Sequence, residues 1–237
     1  MKQYIFLIIS CLTVSLVSSA QDYNDISDNG TFATENTKRD KKFGISEITK
    51  IAILASISVL LMFIKVPLPF APTFMEMDIA ELPALIGGFA MGPLAGFLIV
   101  CIKLLLNIII NGTKTFYVGE LSNLIVSSTF VLTTAFIYKH NKSKKSALLG
   151  LVIGSITMSL VATLSNYFVI FPLYAKLLKI DLNAFVGMVA KINPLVKSYF
   201  TLMLFSILPF NLVKTAVTSI VTSLLYKRIS PILKKKA

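Results

Sequence analysis

From Ile45 onward the chain is a succession of apolar runs long enough to cross a lipid bilayer, and this feature limits its fold more than any other. In hydrocarbon every backbone N–H and C=O must find its partner within the protein, which leaves helices and closed barrels as spanning structures. The runs read as helices at about 46–66, 79–91, 93–111, 116–138, 147–175 and 195–226, most of them near the roughly 20 residues that a spanning helix needs. The expectation is an all-α membrane protein, a six-helix bundle over residues 46–228 with a basic tail at 229–237. Only 14% of the residues are charged, against about 25% in soluble domains.

Two segments precede the bundle. Residues 1–20 carry one lysine, an apolar run from Tyr4 to Val17 and the small-residue end Ser18-Ser19-Ala20, which reads as a secretory signal peptide or an extra span. Residues 21–45 are polar, read as disordered, and end in a basic cluster, Lys38, Arg39, Lys41 and Lys42. Cleavage after Ala20 would leave that cluster outside the cell, whereas its charge favours the inside. An uncleaved first segment with its N-terminus outside reconciles the two.

The net charge of +12 does not point to nucleic acid, because the basic residues are not interleaved with aromatics on a solvated face. They gather between apolar runs, again at Lys139, Lys142, Lys144 and Lys145 and at Lys227, Arg228, Lys234, Lys235 and Lys236. With six spans all three clusters fall on one side, which the positive-inside rule makes cytoplasmic, the C-terminus included.

Polar side chains inside the spans are the candidate site. Asn211 and Lys214 lie three residues apart, on one helix face, inside the last apolar run. An ammonium in a span costs roughly 2.5–3.5 kcal/mol and therefore faces a cavity or a partner. Snorkelling to an interface is the competing reading, but about a dozen residues of apolar chain separate Lys214 from the inner end at Tyr226. Asn166 approaches the same outer half from the fifth span. Phe168, Phe171, Phe205 and Phe210 accompany these groups, a mixture that suits a flat, polar-edged heteroaromatic ligand.

The loop before the second span, Pro67 to Asp78, is rich in proline and aromatics, as a stiff lid would be. Asp78 and Glu81 at its end have the spacing of a capping box, which does not exclude a ligand contact by Glu81. Lys103 and Glu120, in adjacent spans, are expected to neutralise each other. Gly87, Gly88, Gly92 and Gly96 permit close helix approach across the Gly92-Pro93 junction, and Ala52 with Ser56 forms a small-residue pair on the first span.

The usual catalytic and nucleotide motifs are missing. Cys11 and Cys101 have no ligand spacing, and the single histidine, His140, sits in a basic loop. Pro93 stands where a Walker A lysine would be, and GxSxG, HExxH and CxxC do not occur.

The segments Asp78-Ile-Ala-Glu81-Leu-Pro-Ala84, Lys103-Leu-Leu-Leu-Asn107, Gly119-Glu-Leu-Ser-Asn123, Asn166-Tyr-Phe-Val-Ile-Phe-Pro172 and Pro209-Phe-Asn-Leu-Val-Lys214 resemble the substrate-binding (S) component of energy-coupling-factor (ECF) vitamin transporters. Within that family the likeness is to the riboflavin-specific member, over roughly 46–228. The resemblance implies six helices and a vitamin held near the outer face, with docking through the first helix onto a membrane coupling subunit driven by two ATPases. Carried onto this chain, Asn166, Asn211 and Lys214 would bond the isoalloxazine edge, and Glu81 with Thr73, Phe74 and Glu76 would meet the ribityl chain. Ala52 and Ser56 would form the docking face, with Ser56 standing where the family has a second alanine.

The expected function is thus capture of riboflavin at an outward-facing pocket in the bacterial cell membrane, with membrane lipids as the surroundings. The resemblance implies no enzymatic activity, no metal, and no cofactor other than riboflavin as transported ligand. The alternatives are a sister component for another vitamin, or a membrane enzyme acting on a lipid or prenyl substrate through Asp78 and Glu81.

Overall fold

The computed structural model describes residues 44–67, 76–113 and 115–234, with side chains except at 67, 76 and 226–234. The leader at 1–20 and almost all of the linker at 21–45 lie outside the described residues. The elements are α1 (Ile45–Met62), a strand pair β1 (Val66–Pro67) and β2 (Glu76–Met77), α2 (Glu81–Met91), α3 (Pro93–Asn111), α4 (Val118–His140) and α5 (Lys144–Ser165). Then come a π-helical turn (Asn166–Ile170), α6 (Phe171–Leu178), α7 (Leu182–Ala190), α8 (Tyr199–Leu202), a second π-helical turn (Met203–Ile207) and α9 (Leu208–Lys234). β1 and β2 pair antiparallel, Val66 opposite Met77.

Five stretches are long and apolar enough to span a bilayer, Ile45–Met62, Pro93–Asn111, Val118–His140, Lys144–Leu178 and Tyr199–Leu225, and Glu81–Met91 is a shorter sixth. The chain is therefore an all-α, multi-pass membrane protein. Each of the five long stretches buries one stripe and turns another outward. In α1 the buried set is Ile51, Leu54, Ala55, Ser58 and Val59, while Ile53, Ile57 and Leu60 are exposed, the three-to-four spacing of an amphipathic pattern with hydrocarbon as solvent.

α2 has eleven residues, about 16 Å of helix against a hydrocarbon core of about 30 Å. It is buried from Glu81 through Phe89, clasped by its neighbours. The chain reverses at Gly92, whose φ of 108° is in the region that glycine reaches without strain. Pro93 then opens α3, where a missing N–H costs nothing. One turn on, a Cβ at Gly96 would lie 2.6 Å from Val131 Cγ1 and 3.1 Å from Gly88 Cα, so α2, α3 and α4 meet at backbone distance.

The two π-helical turns share a design. Each is followed after one residue by a proline, Pro172 or Pro209, which withholds an N–H from the preceding turn. Both freed regions are served from elsewhere. Tyr199 Oη donates to the Tyr167 carbonyl at 2.7 Å, and Asn193 Nδ2 donates to the Phe205 carbonyl at 3.0 Å. Tyr167 and Tyr199 also stack, with centroids 4.9 Å apart.

Two elements differ from the sequence reading. The stretch 176–194, expected as a loop, contains α7, capped by Asp181 Oδ1 accepting from Asn183 N at 3.1 Å. Phe185, Val186 and Val189 bury in a cluster with Phe171, Leu202 and Met203, tertiary burial that a nine-residue pattern does not advertise. At the other end α9 runs as helix through Pro231 to Lys234, where the sequence reading has a tail.

Candidate functional site

A cavity of about 180 Å3, partly open, lies between Asp78 before α2, the N-terminal part of α4, the first π-helical turn, the start of α6 and the start of α9. α9 presents Phe210, Asn211 and Lys214 on one face, and the π-helical turn presents Asn166 and Ile170. Asn166, Asn211 and Lys214, three candidates from the sequence, thus line one chamber. A π-helical turn widens the helix and re-aims the side chains that follow, which is why such turns recur at functional sites. Phe171 and Phe210 supply aromatic walls. Phe168 and Phe205, expected with them, are 68% and 40% exposed, on the outer face of the widened turns.

Lys214 is buried beside two carboxylates, its Nζ 3.5 Å from Asp78 Oδ1 and 3.2 Å from Glu81 Oε1. Glu81 Oε1 also accepts from Ser127 Oγ at 2.8 Å and lies 3.6 Å from Lys103 Nζ. Two carboxylates therefore face two ammonium groups, and the cluster is neutral. Neutrality is what tolerates four ionised groups in a poorly solvated interior.

This arrangement corrects three expectations. Lys103 pairs with Glu81, not with Glu120. It lies eight residues before the end of α3 at Asn111, about 12 Å along the axis, whereas Glu120 opens α4 and accepts from Thr113 and Thr115 hydroxyls at 3.3 and 3.0 Å. Second, Asp78 and Glu81 form no capping box: the residue before α2 is Ala80. Asp78 Oδ1 accepts from Ala80 N at 3.0 Å and closes the turn before α2, while Glu81 turns inward to Ser127 and the lysines. Third, Glu81, expected among the residues facing the ligand, is 1% exposed and does not line the cavity; it stands behind Lys214. The two carboxylates that a lipid- or prenyl-processing enzyme would use as acid or metal ligands are both committed to ammonium groups.

Thr73 and Phe74 lie outside the described residues, and Glu76 is described only by its backbone in β2. Ala52 and Ser56 are half-buried on α1, with Ser56 Oγ donating to the Ala52 carbonyl at 2.9 Å. Ser56 therefore satisfies its hydroxyl within its own helix and presents a small surface. Ser58 binds α1 to the start of α2 by donating to the Ala80 carbonyl.

Sequence reasoning missed the wall made by Gly119, Ser122 and Asn123 of α4 and Tyr174 of α6. The signal was present in Asn123, a polar residue one turn from Glu120 in an apolar run. Choosing it over Glu120 requires the helix orientation.

Comparison with known proteins follows the same lines. A family model described as "ECF transporter, substrate-specific component" matches residues 46–226. The chain is 35% identical over 185 residues to the riboflavin transporter RibU of Staphylococcus aureus (strain TCH60), covering 78% of this chain and 90% of that protein. It is 31% identical over 188 residues to the riboflavin transporter FmnP of Bacillus subtilis (strain 168), covering 79% and 93%. A solved structure of the S component of a bacterial ECF transporter superposes with a TM-score of 0.62 at 34% identity, covering 80% of this chain and 98% of that one.

Proposed function

Since the chain belongs to the family of ECF transporter substrate-specific components, we propose that it captures riboflavin in the chamber at the outer ends of α4, α6 and α9. It hands the vitamin over with the help of a separate membrane coupling subunit and two ATPases. The observation that carries this reading is the convergence of Asn166, Asn211 and Lys214 on one aromatic-walled cavity. A flavin ring is flat, apolar on both faces and edged on one side by an imide, which offers a donor between two acceptors. Two carboxamides and an ammonium match that edge, while Phe171 and Phe210 cover apolar surface.

At about 180 Å3 the cavity is smaller than the roughly 300–1,000 Å3 of sites that bury a whole drug-sized ligand. The ring therefore goes in first and the ribityl chain trails through the open side, past Ser122 and Asn123. Binding is driven by desolvation of the ring, and the polar contacts fix its orientation at about 1 kcal/mol net each. The chain needs no cofactor and performs no chemistry of its own. Its basic loop at Lys139–Lys145 and its C-terminus face the cytoplasm, and the half-exposed Ala52 and Ser56 meet the coupling subunit.

The test is the absorption spectrum of the detergent-purified chain. Co-purified or added riboflavin should give a flavin band that travels with the protein through size exclusion, with quenched fluorescence. A colourless protein that does not quench riboflavin on titration would refute the reading.

A further inference from the structure

Lys103 has no place in the function as described so far, and its surroundings give it one. It is fully buried in α3, its Nζ has no hydrogen-bond partner among the described residues, and its nearest anionic atom is Glu81 Oε1 at 3.6 Å. A methionine would fill the same space without bringing an ion into the bilayer interior. Packing alone therefore does not account for a lysine.

The shared oxygen does. Glu81 Oε1 is within 3.2 Å of Lys214 Nζ and 3.6 Å of Lys103 Nζ, whereas Glu81 Oε2 is buried without a partner. Lys214 in turn stands between Glu81 and Asp78. Without Lys103 the remaining three charges would sum to minus one, and the Lys214 ammonium would be the sole counter-charge to two buried carboxylates. It would then be drawn back onto them and away from the chamber.

We infer that Lys103 is a positioning residue for ligand binding: by sharing the Glu81 carboxylate with Lys214, it weakens the hold of Glu81 on the Lys214 ammonium, so that one of its three N–H bonds can donate into the cavity. The inference rests on the riboflavin reading for its ligand but not for its geometry. Lys103 touches no part of the chamber and acts through Glu81 alone.

The experiment is a double-mutant cycle in the full-length chain in detergent, read by riboflavin titration and by the side-chain 15N resonance of Lys214, assigned from its absence in Lys214→Ala. Lys103→Met should weaken binding by about tenfold or more and shift the Lys214 resonance in ligand-free protein. In a Glu81→Gln background the same substitution should change affinity by less than about twofold, because its route of action is gone. Affinity within about twofold of the parent in Lys103→Met, even with a lower melting temperature, overturns the inference, since lost stability is all that a purely structural charge would give. So does a full loss that persists in the Glu81→Gln background, and that arm decides the matter if Lys103→Met alone does not fold. Failure of the parent chain to bind riboflavin would refute the proposed ligand instead, and the Lys214 resonance would still report whether Lys103 sets the position of its ammonium.

Discussion

Asn166 and Asn211 hold their side chains in the same way: each donates its Nδ2–H to the carbonyl four residues back, Ala162 at 2.7 Å and Ile207 at 2.8 Å. One sits at the start of a π-helical turn and the other bonds to the last residue of the second such turn. With one amide hydrogen tied to its own helix, each side chain is fixed in rotamer, and among the described residues neither Oδ1 receives a hydrogen bond. The second Nδ2 hydrogen of each remains, so each carboxamide is held ready to accept through Oδ1 or to donate.

Asn211→Leu and Asn166→Leu should each weaken riboflavin binding by about tenfold, the value of a hydrogen bond lost in a dry site. A flavin methylated at its imide nitrogen should bind the parent chain more weakly for the same reason and lose little further in whichever variant lacks the acceptor for that N–H. Isothermal or fluorescence titration checks both.

Lys214→Ala should weaken binding by at least about tenfold and should also lower the melting temperature, because Asp78 would lose its ammonium partner, Glu81 would keep Lys103 alone, and the cluster would carry a net charge. Titration of the folded fraction separates the two effects. Unchanged affinity would count against the site.

Tyr199→Phe keeps the stack on Tyr167 but leaves the Tyr167 carbonyl without its donor. An unsatisfied carbonyl in a helix bent by Pro172 should cost about 1–3 kcal/mol, visible as a lower melting temperature with an unaltered helical far-ultraviolet signal. The comparison with Tyr199→Leu, which removes the ring as well, isolates the hydroxyl.

Gly96→Val would drive its Cβ to 2.6 Å from Val131 Cγ1 and 3.0 Å from the Ala84 carbonyl. Overpacking of this kind costs about 1–3 kcal/mol or more. Reduced yield of monodisperse protein and a lower melting temperature are expected, with any residual folded material still binding ligand.

Ser56→Trp places a bulky ring on the half-buried small-residue face of α1, away from the cavity. The isolated chain should titrate riboflavin as before, whereas uptake by cells that also express the coupling and ATPase subunits should fall sharply. Uptake at the parent level would remove α1 as the docking face.

The sequence carried the number of membrane segments and the polar face of the last one, because an amide and an amine stand out in hydrocarbon. It carried the reversal at Gly92-Pro93 for the same reason: no other pair ends one helix and begins the next so cleanly. It did not carry the partner of Lys103. Glu81 and Glu120 are both carboxylates in neighbouring helices, and only the register of α2 against α3 and α4 brings the former near. Nor could periodicity reveal the π-helical turns, since one extra residue per turn shifts a hydrophobic stripe by less than the width of the stripe. The prolines at 172 and 209 marked where the helices yield, but not that Tyr199 and Asn193 would complete them.

The shortness of α2 has a consequence for depth. A helix that begins at the Gly92 turn near one surface and ends at Glu81 has climbed only about half the hydrocarbon thickness. Its Glu81 end, with Asp78 and Lys214 beside it, therefore stands well inside the hydrocarbon thickness, next to the partly open cavity. On the proposed reading, a water-soluble ligand thus finds its site partway through the membrane rather than at its surface.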